Sequence, residues 1–339
     1  MASESTPGRR RVVVLGTGGT IAGAATSATD NVGYAAAQRS VQSLLAAVPA
    51  LAGFDLEAEQ VAQVDSKDMS HAIWAALARR CAAHLARPEV AGLVVTHGTD
   101  TLEETAWLLH RVLGRAAGLA KPVVLTAAMR PATSLQADGP QNLLDAVTLA
   151  AEPGACGVLV ALAGQAWAGA EVRKVHTWRL EAFAAGDAGP VALLREGRVL
   201  GLRPWPGQGL DAPAWPAAPA PEALPEADGD WPWVEIVTSH GGARPDAVGL
   251  WCGAGVRGLV VAATGNGTVH TALENALLEA AAGGVPVLRA TRCAAGGIVE
   301  GQSPAAAAAA IEPARHLTPV QARVELMLRL LARQPGAAA

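Results

Sequence analysis

Tyrosine occurs once in this chain of 339 residues, at Tyr34, and phenylalanine only twice. Lysine is confined to Lys67, Lys121 and Lys174, and arginine supplies the remaining fixed cations. No basic stripe or Lys/Arg cluster appears, and the formal net charge is −4; this speaks against a nucleic-acid footprint. No apolar tract reaches the length of a membrane span without a charge, glycine or proline. The opening MASESTPGRR has no apolar stretch behind a charged start, as a secretory signal would. The expectation is a cytoplasmic protein with neither nucleic acid nor membrane as partner. The four cysteines, Cys81, Cys156, Cys252 and Cys293, are far apart and form no C-x-x-C, so no zinc site or redox pair is signalled. They read as small buried apolar residues.

Hydrophobic residues make up 51% of the chain and charged residues 17%. That supports a sizeable core and excludes wholesale disorder, and the length fits two domains. The scarcity of lysine and tyrosine has a bland cause in coding bias. Even so, each survivor marks a position where Arg or Phe would not serve.

Short apolar, β-branched runs alternate with helical patterns. Strands are predicted at 12–15, 59–64, 93–96, 122–126 and 157–162, and helices at 38–48, 70–86, from Asp100, and at 140–150. Such alternation argues for βαβ units and a mostly parallel sheet, hence an α/β protein. From 204 to 232 proline, alanine and glycine crowd together, and the segment reads as an extended connector. Alternation then resumes, with strands at 233–237, 257–262 and 285–289, helices at 244–252 and 269–281, and a last amphipathic helix at 318–333. The division is therefore an N-terminal domain, 1–203, a connector, 204–232, and a smaller C-terminal α/β domain, 233–339.

Ligands in open α/β sheets sit beyond the carboxyl ends of strands, which directs attention to four turns. The first is GTGGT, 16–20. A dinucleotide fingerprint would place its third glycine at Ile21, and a P-loop would end in Gly-Lys, so neither fits. What remains is a turn whose glycines let a hydroxyl come close to a substrate, or threonines, Thr17 and Thr20, that only bond their own turn. The second, DSKDMS at 65–70, holds a helix cap in Asp68 or Ser70; a cap leaves Ser66 unexplained. The third, VVTHGTDTLEET at 94–105, puts a hydroxyl beside a carboxylate at a helix start. Asp100 suits an ammonium and Thr99 can pass a proton or hold a water; equally, either can cap the helix, with Glu103 and Glu104 answering its dipole. His97 reads as a structural donor. The fourth, TAAMRPATSLQADGPQNLLDAV at 126–147, is a long loop that reads as packing around the site.

GTGGTIAG, DSKDM, THGTDTLEET and AMRPATSLQADGPQNL, in that order and followed by GNGT at 265–268, resemble the bacterial L-asparaginase family of asparaginase/glutaminase amidohydrolases. The likeness covers nearly the whole chain. It implies a flavodoxin-like parallel-sheet domain with a left-handed crossover, a smaller C-terminal α/β domain, and homotetramers of intimate dimers with active sites at the dimer interface. It implies hydrolysis of L-asparagine to L-aspartate and ammonia, without metal or organic cofactor. By likeness, Thr20 is the nucleophile that forms an acyl-enzyme, and Tyr34, in a mobile loop, is its partner. Thr99, Asp100 and Lys174 form a second constellation. Ser66 and Asp100 hold the substrate's carboxylate and ammonium, beside Gly19 and Gly98. Thr268, where the family often carries Asn or Ser, serves across the interface, and Glu300 is the one carboxylate available to approach the ammonium from a partner subunit. The chain departs from the family at Lys67, where Gln or Glu is usual.

The residue types agree with that chemistry. A threonine hydroxyl needs a base to become a good nucleophile. Tyrosine and lysine carry protons if their environment lowers their pKa, whereas arginine and phenylalanine cannot. Backbone N–H groups of Gly98 and Thr99 are the expected oxyanion donors, worth roughly 3 kcal/mol each. Lys121 reads as a flank of its strand. Two further functions are weighed: an amidase subunit of a tRNA-dependent amidotransferase, which needs an additional N-terminal domain where this chain has about a dozen residues before its first motif, and a non-catalytic amino-acid binder, which would not need Thr20, Tyr34 and Lys174 together.

Overall fold

The computed structural model describes residues 10–114, 119–206, 217–299 and 310–333. The N-terminal half alternates β1 (Arg11–Gly18), α1 (Val41–Ala46), β2 (Leu56–Val64), α2 (His71–Leu85), β3 (Val90–Thr96), α3 (Leu102–Leu113), β4 (Pro122–Thr126), α4 (Gly139–Ala151) and β5 (Gly157–Leu162). All pairings among these five strands are parallel, in the order β2-β1-β3-β4-β5. That is the flavodoxin-like order, whose switch point lies between β1 and β3.

The sheet then continues antiparallel through β6 (Gln165–Ala168), β9 (Ala192–Arg195) and β10 (Arg198–Gly201), giving eight strands. Between them lies a separate two-residue pairing of β7 (Arg173–Lys174) with β8 (Phe183–Ala184). The pattern of apolar runs does not predict this extension, because strands of two to four residues carry too little periodicity. Its turns are nonetheless written in the sequence. Ala163-Gly164 and Glu196-Gly197 both take positive φ, at 49° and 72° and at 48° and 68°, as two-residue hairpin loops require.

Val12 to Leu15 are fully buried between two helical layers, each side chain contributing roughly 1.5–3 kcal/mol. Trp74, Leu77, Trp107 and Leu108 of α2 and α3 cover one face, and Leu44, Leu143 and Val147 of α1 and α4 the other. A second sheet, all parallel, runs β11 (Val234–Thr238), β12 (Gly258–Ala263), β13 (Val287–Thr291) and β14 (Glu312–Pro313), with α5 (Asp246–Gly253) and α6 (Thr271–Ala282) on it. The last helix, α7 (Pro319–Ala332), has a Thr318–Gln321 capping box.

Helix α7 packs against both α3 and the second sheet. There the fully buried Glu325 accepts from Arg111 at 2.6 Å and from Arg329 at 2.9 Å. Both its oxygens are satisfied, as a buried charge demands. The described half of the proline-rich connector crosses α2. Trp231 stacks on His71 at 5.0 Å, Leu224 is buried, and Asp228 accepts the Ala72 N–H at 2.8 Å. Among the described residues, no helix is long and apolar enough to cross a membrane.

Candidate active site

The carboxyl ends of β1 and β3 meet at the switch point. β1 ends in Gly18 and Gly19, with φ of 108° and 80°, values that disfavour a side chain. The Gly19 N–H donates to Val64 O at 2.9 Å, which pins the turn to β2. A Cβ on Gly19 would lie 2.4 Å from Gly98 N, and one on Gly98 would lie 2.4 Å from Ser66 Oγ. The glycines therefore let three turns touch. Thr17 donates to Thr96 O at 2.9 Å and is structural. Thr20 opens a short 3-10 turn, Thr20–Ala22, and its Oγ1 lies 2.7 Å from Tyr34 Oη.

Tyr34 is carried by a loop closed by an Ala24–Ala35 bridge. Asp30 shapes its tip by accepting from Val32 N at 2.9 Å and Gly33 N at 2.7 Å. The 126–147 loop latches it: Ala25 N donates to Thr133 Oγ1 at 2.9 Å, and Ala132 N and Leu135 N donate to Gly23 O and Ala28 O, each at 3.0 Å. Asp138 in turn folds that loop by accepting from Met129 N at 3.0 Å and Arg130 N at 2.9 Å. Tyr34 does not meet the condition of an environment that lowers its pKa. Burial raises its phenol and the charges of Asp65 and Asp100 add to this, against the opposing bond to Thr20.

At the end of β3, Lys174 Nζ donates to Thr99 Oγ1 at 2.9 Å and to Asp100 Oδ1 at 2.5 Å. Ser66 joins the same turn: its Oγ accepts the Asp100 N–H at 3.3 Å and its carbonyl accepts from Thr101 Oγ1 at 2.8 Å. Ser66 is 2% exposed, Thr99 6% and Thr20 8%, whereas the Asp100 side chain is open to solvent. The N–H groups of Gly98 and Thr99 meet no protein acceptor among the described residues. Neither Thr99 nor Asp100 caps α3. The N-cap residue is Thr101, whose side chain makes no capping bond because it is spent on Ser66. Ser70 does cap α2.

His97 is fully buried between Gly98 O at 2.8 Å and Thr105 Oγ1 at 2.9 Å. Burial lowers its pKa to about 4, so it is a neutral structural group at ordinary pH. Glu103 does more than answer the helix dipole. Its Oε2 accepts the Lys174 backbone N–H at 3.1 Å, and burial raises its carboxyl to about 7. Its role is invisible in sequence, where a first-turn carboxylate has a sufficient local explanation. Thr133 stands within AMRPATSLQADGPQNL, yet only the fold brings it to the Tyr34 loop.

One of the expected residues is not joined to this cluster, and another cannot be placed against it. Thr268 exchanges hydroxyl bonds with Thr264, at 2.8 Å between their oxygens, within its own turn. Glu300 lies outside the described residues. Lys67 pairs with its exposed neighbour Asp68. Lys121 does more than flank β4: it donates to Leu85 O at 2.9 Å and Arg87 O at 2.7 Å beyond the end of α2. Of the four cysteines, Cys81 and Cys156 are buried, whereas Cys252 is half-buried and Cys293 exposed.

Comparison with known proteins agrees with this geometry. Residues 11–205 match the family model for the asparaginase N-terminal domain, and 233–337 that for the glutaminase/asparaginase C-terminal domain. The chain is 35% identical over 297 residues to a glutaminase-asparaginase of Pseudomonas fluorescens, covering 85% of this chain and 77% of that one. It is 33% identical over 325 residues to L-asparaginase 2 of Escherichia coli, covering 94% and 88%. The crystal structure of a probable cytoplasmic L-asparaginase from Campylobacter jejuni superposes with a TM-score of 0.82 at 33% identity, covering 95% of each chain.

Proposed function

This chain belongs to the bacterial L-asparaginase family, and from that premise we propose how its residues perform the reaction. The protein is an L-asparaginase, an amidohydrolase that releases ammonia from the side-chain amide of L-asparagine. Thr20 Oγ1 attacks the amide carbon. The tetrahedral oxyanion is held by the N–H groups of Gly98 and Thr99, ammonia leaves, and water hydrolyses the aspartyl ester on Thr20. The 2.7 Å contact of Thr20 Oγ1 with Tyr34 Oη carries this reading. With its pKa raised, Tyr34 is a protonated phenol in the resting site. It relays: it takes the Thr20 proton as it gives its own to the departing amide nitrogen, which leaves as ammonia.

Lys174, bonded to both Thr99 and Asp100, manages the proton of the second constellation. Ser66 and Asp100 grip the substrate's α-carboxylate and α-ammonium. The division at 1–203, 204–232 and 233–339 then separates the chemistry from a C-terminal domain that serves assembly. Assembly is a homotetramer of intimate dimers, with Thr268 and Glu300 facing a neighbouring subunit's site. That reading is supported by exposed apolar side chains on the segments that border the site, Val32, Leu135, Val175 and Trp178. A cytoplasmic location is supported by the likeness to the Campylobacter protein, described as probably cytoplasmic.

The deciding experiment is ammonia release from purified protein with L-Asn, L-Gln and D-Asn in parallel. L-Asn is expected to be the best substrate, and failure on L-Asn would refute the assignment. L-Gln differs by one methylene, which a pocket discriminates by only ~1–3 kcal/mol, so its rate measures the glutaminase fraction.

A further inference from the structure

Glu103 is a half-buried carboxylate with no cation bonded to it among the described residues. Burial alone is costly for such a group, and an exposed residue would serve the helix dipole as well. Its neighbour Glu104 faces Arg323 of α7 at 3.9 Å and is explained by the junction of the two sheets. Among the described residues Glu103 instead accepts one hydrogen bond, from the Lys174 backbone N–H at 3.1 Å. The segment so held needs holding. β7 is two residues long and pairs only with the two residues of β8. On its other side Arg173 reaches away, to Ala294 O at 3.0 Å and His316 O at 3.3 Å.

We propose that Glu103 is a positioning residue for Lys174. By accepting the Lys174 N–H it ties β7 to the first turn of α3, directly behind Thr99 and Asp100, the two groups that the Lys174 ammonium must reach. The ammonium and its two partners thereby share one rigid reference, although 71 residues separate Glu103 from Lys174. The geometry asks only for an acceptor oxygen at this point, so a carboxamide can replace the carboxylate. The proposal rests on the reading of Lys174 as catalytic, and its test separates the two.

The full-length variants Glu103→Gln, Glu103→Ala and Lys174→Met are compared with wild type for kcat and KM on L-Asn and for amide hydrogen exchange across 173–176. Glu103→Gln is expected to stay within about threefold of wild-type kcat. Glu103→Ala is expected to lose about 10- to 100-fold in kcat with KM little changed, the scale of a misplaced catalytic group, and to exchange faster at 173–176. Equal kcat losses in Glu103→Gln and Glu103→Ala would overturn the proposal, as would wild-type kcat in Glu103→Ala. Should Glu103→Ala fail to fold, Glu103→Gln decides alone: slow exchange with kcat near wild type supports positioning, and a loss as deep as that of Lys174→Met refutes it. Wild-type turnover by Lys174→Met would instead remove the catalytic reading of Lys174.

Discussion

Gly19 and Gly98 are packed so closely that a single methyl group on Gly19 would sit 2.4 Å from the Gly98 nitrogen. The turn that carries Thr20 is thus built against the turn that supplies Gly98 and Thr99. A Gly19→Ala variant must part the two turns and also force an alanine to a φ of 80°. We expect kcat/KM for L-Asn to fall by about 100-fold or more, the scale of a 1 Å misplacement, with the secondary structure retained by circular dichroism. Unchanged kcat/KM would mean that the contact between the turns is not needed.

Lys174→Arg keeps the charge and loses the titratable proton. Its kcat is expected to fall by about 10² or more, within the range for general acid–base groups. Steady-state kinetics with near-normal kcat would show that the interaction with Thr99 and Asp100 is electrostatic only.

How much of this was legible in the residues differs by element. Val12–Leu15 and Leu93–Thr96 are runs long enough to mark buried strands, and their carboxyl ends, Gly16–Thr20 and His97–Asp100, do meet at the switch point. Ser66 stands out because a cap cannot explain it, whereas Tyr34 and Lys174 are singled out by the family resemblance, with which the scarcity of their residue types agrees. The bond of Glu103 and the true start of α3 at Thr101, rather than at Thr99 or Asp100, are hidden for a common reason: a helix start looks the same in sequence whether its polar groups bond the helix or a distant segment. The antiparallel strands β6, β9 and β10 were missed because four residues give no usable period, although their glycine turns were present. Among the described residues Thr268 bonds within its own turn, to Thr264.

Thr133→Val removes the hydroxyl that receives the Ala25 N–H, one of three bonds latching the Tyr34 loop to the 126–147 loop. A net loss of about 1 kcal/mol in loop docking is expected, read as a several-fold rise in KM for L-Asn and faster hydrogen exchange across 24–35. Exchange identical to wild type would show that the latch contributes nothing.

His97 sets a pH dependence of stability. Its pKa falls from 6.5 to about 4 on folding, so between these values the unfolded chain binds a proton that the folded protein excludes. Its contribution is complete above pH 6.5 and is lost toward pH 4, at about 1.4 kcal/mol per pH unit. His110, lowered to about 4 by burial, acts in the same direction. Glu103, raised to about 7, acts oppositely, contributing most below 4.5 and losing that as pH rises to 7. Urea unfolding from pH 7 to pH 4 should therefore show a shallower acid loss in His97→Asn than in wild type. Parallel curves would show that His97 is protonated in the fold.

The central claim is that the Thr20 hydroxyl forms the covalent bond to substrate. Its most direct test is acid quenching of the enzyme during turnover of L-asparagine, followed by peptide mass mapping of wild type and Thr20→Ala. The account predicts an aspartyl ester on Thr20 in wild type, and in Thr20→Ala no ester and a kcat lower by about 10⁴ or more. An ester on Thr99, or turnover by Thr20→Ala at the wild-type rate, would contradict it.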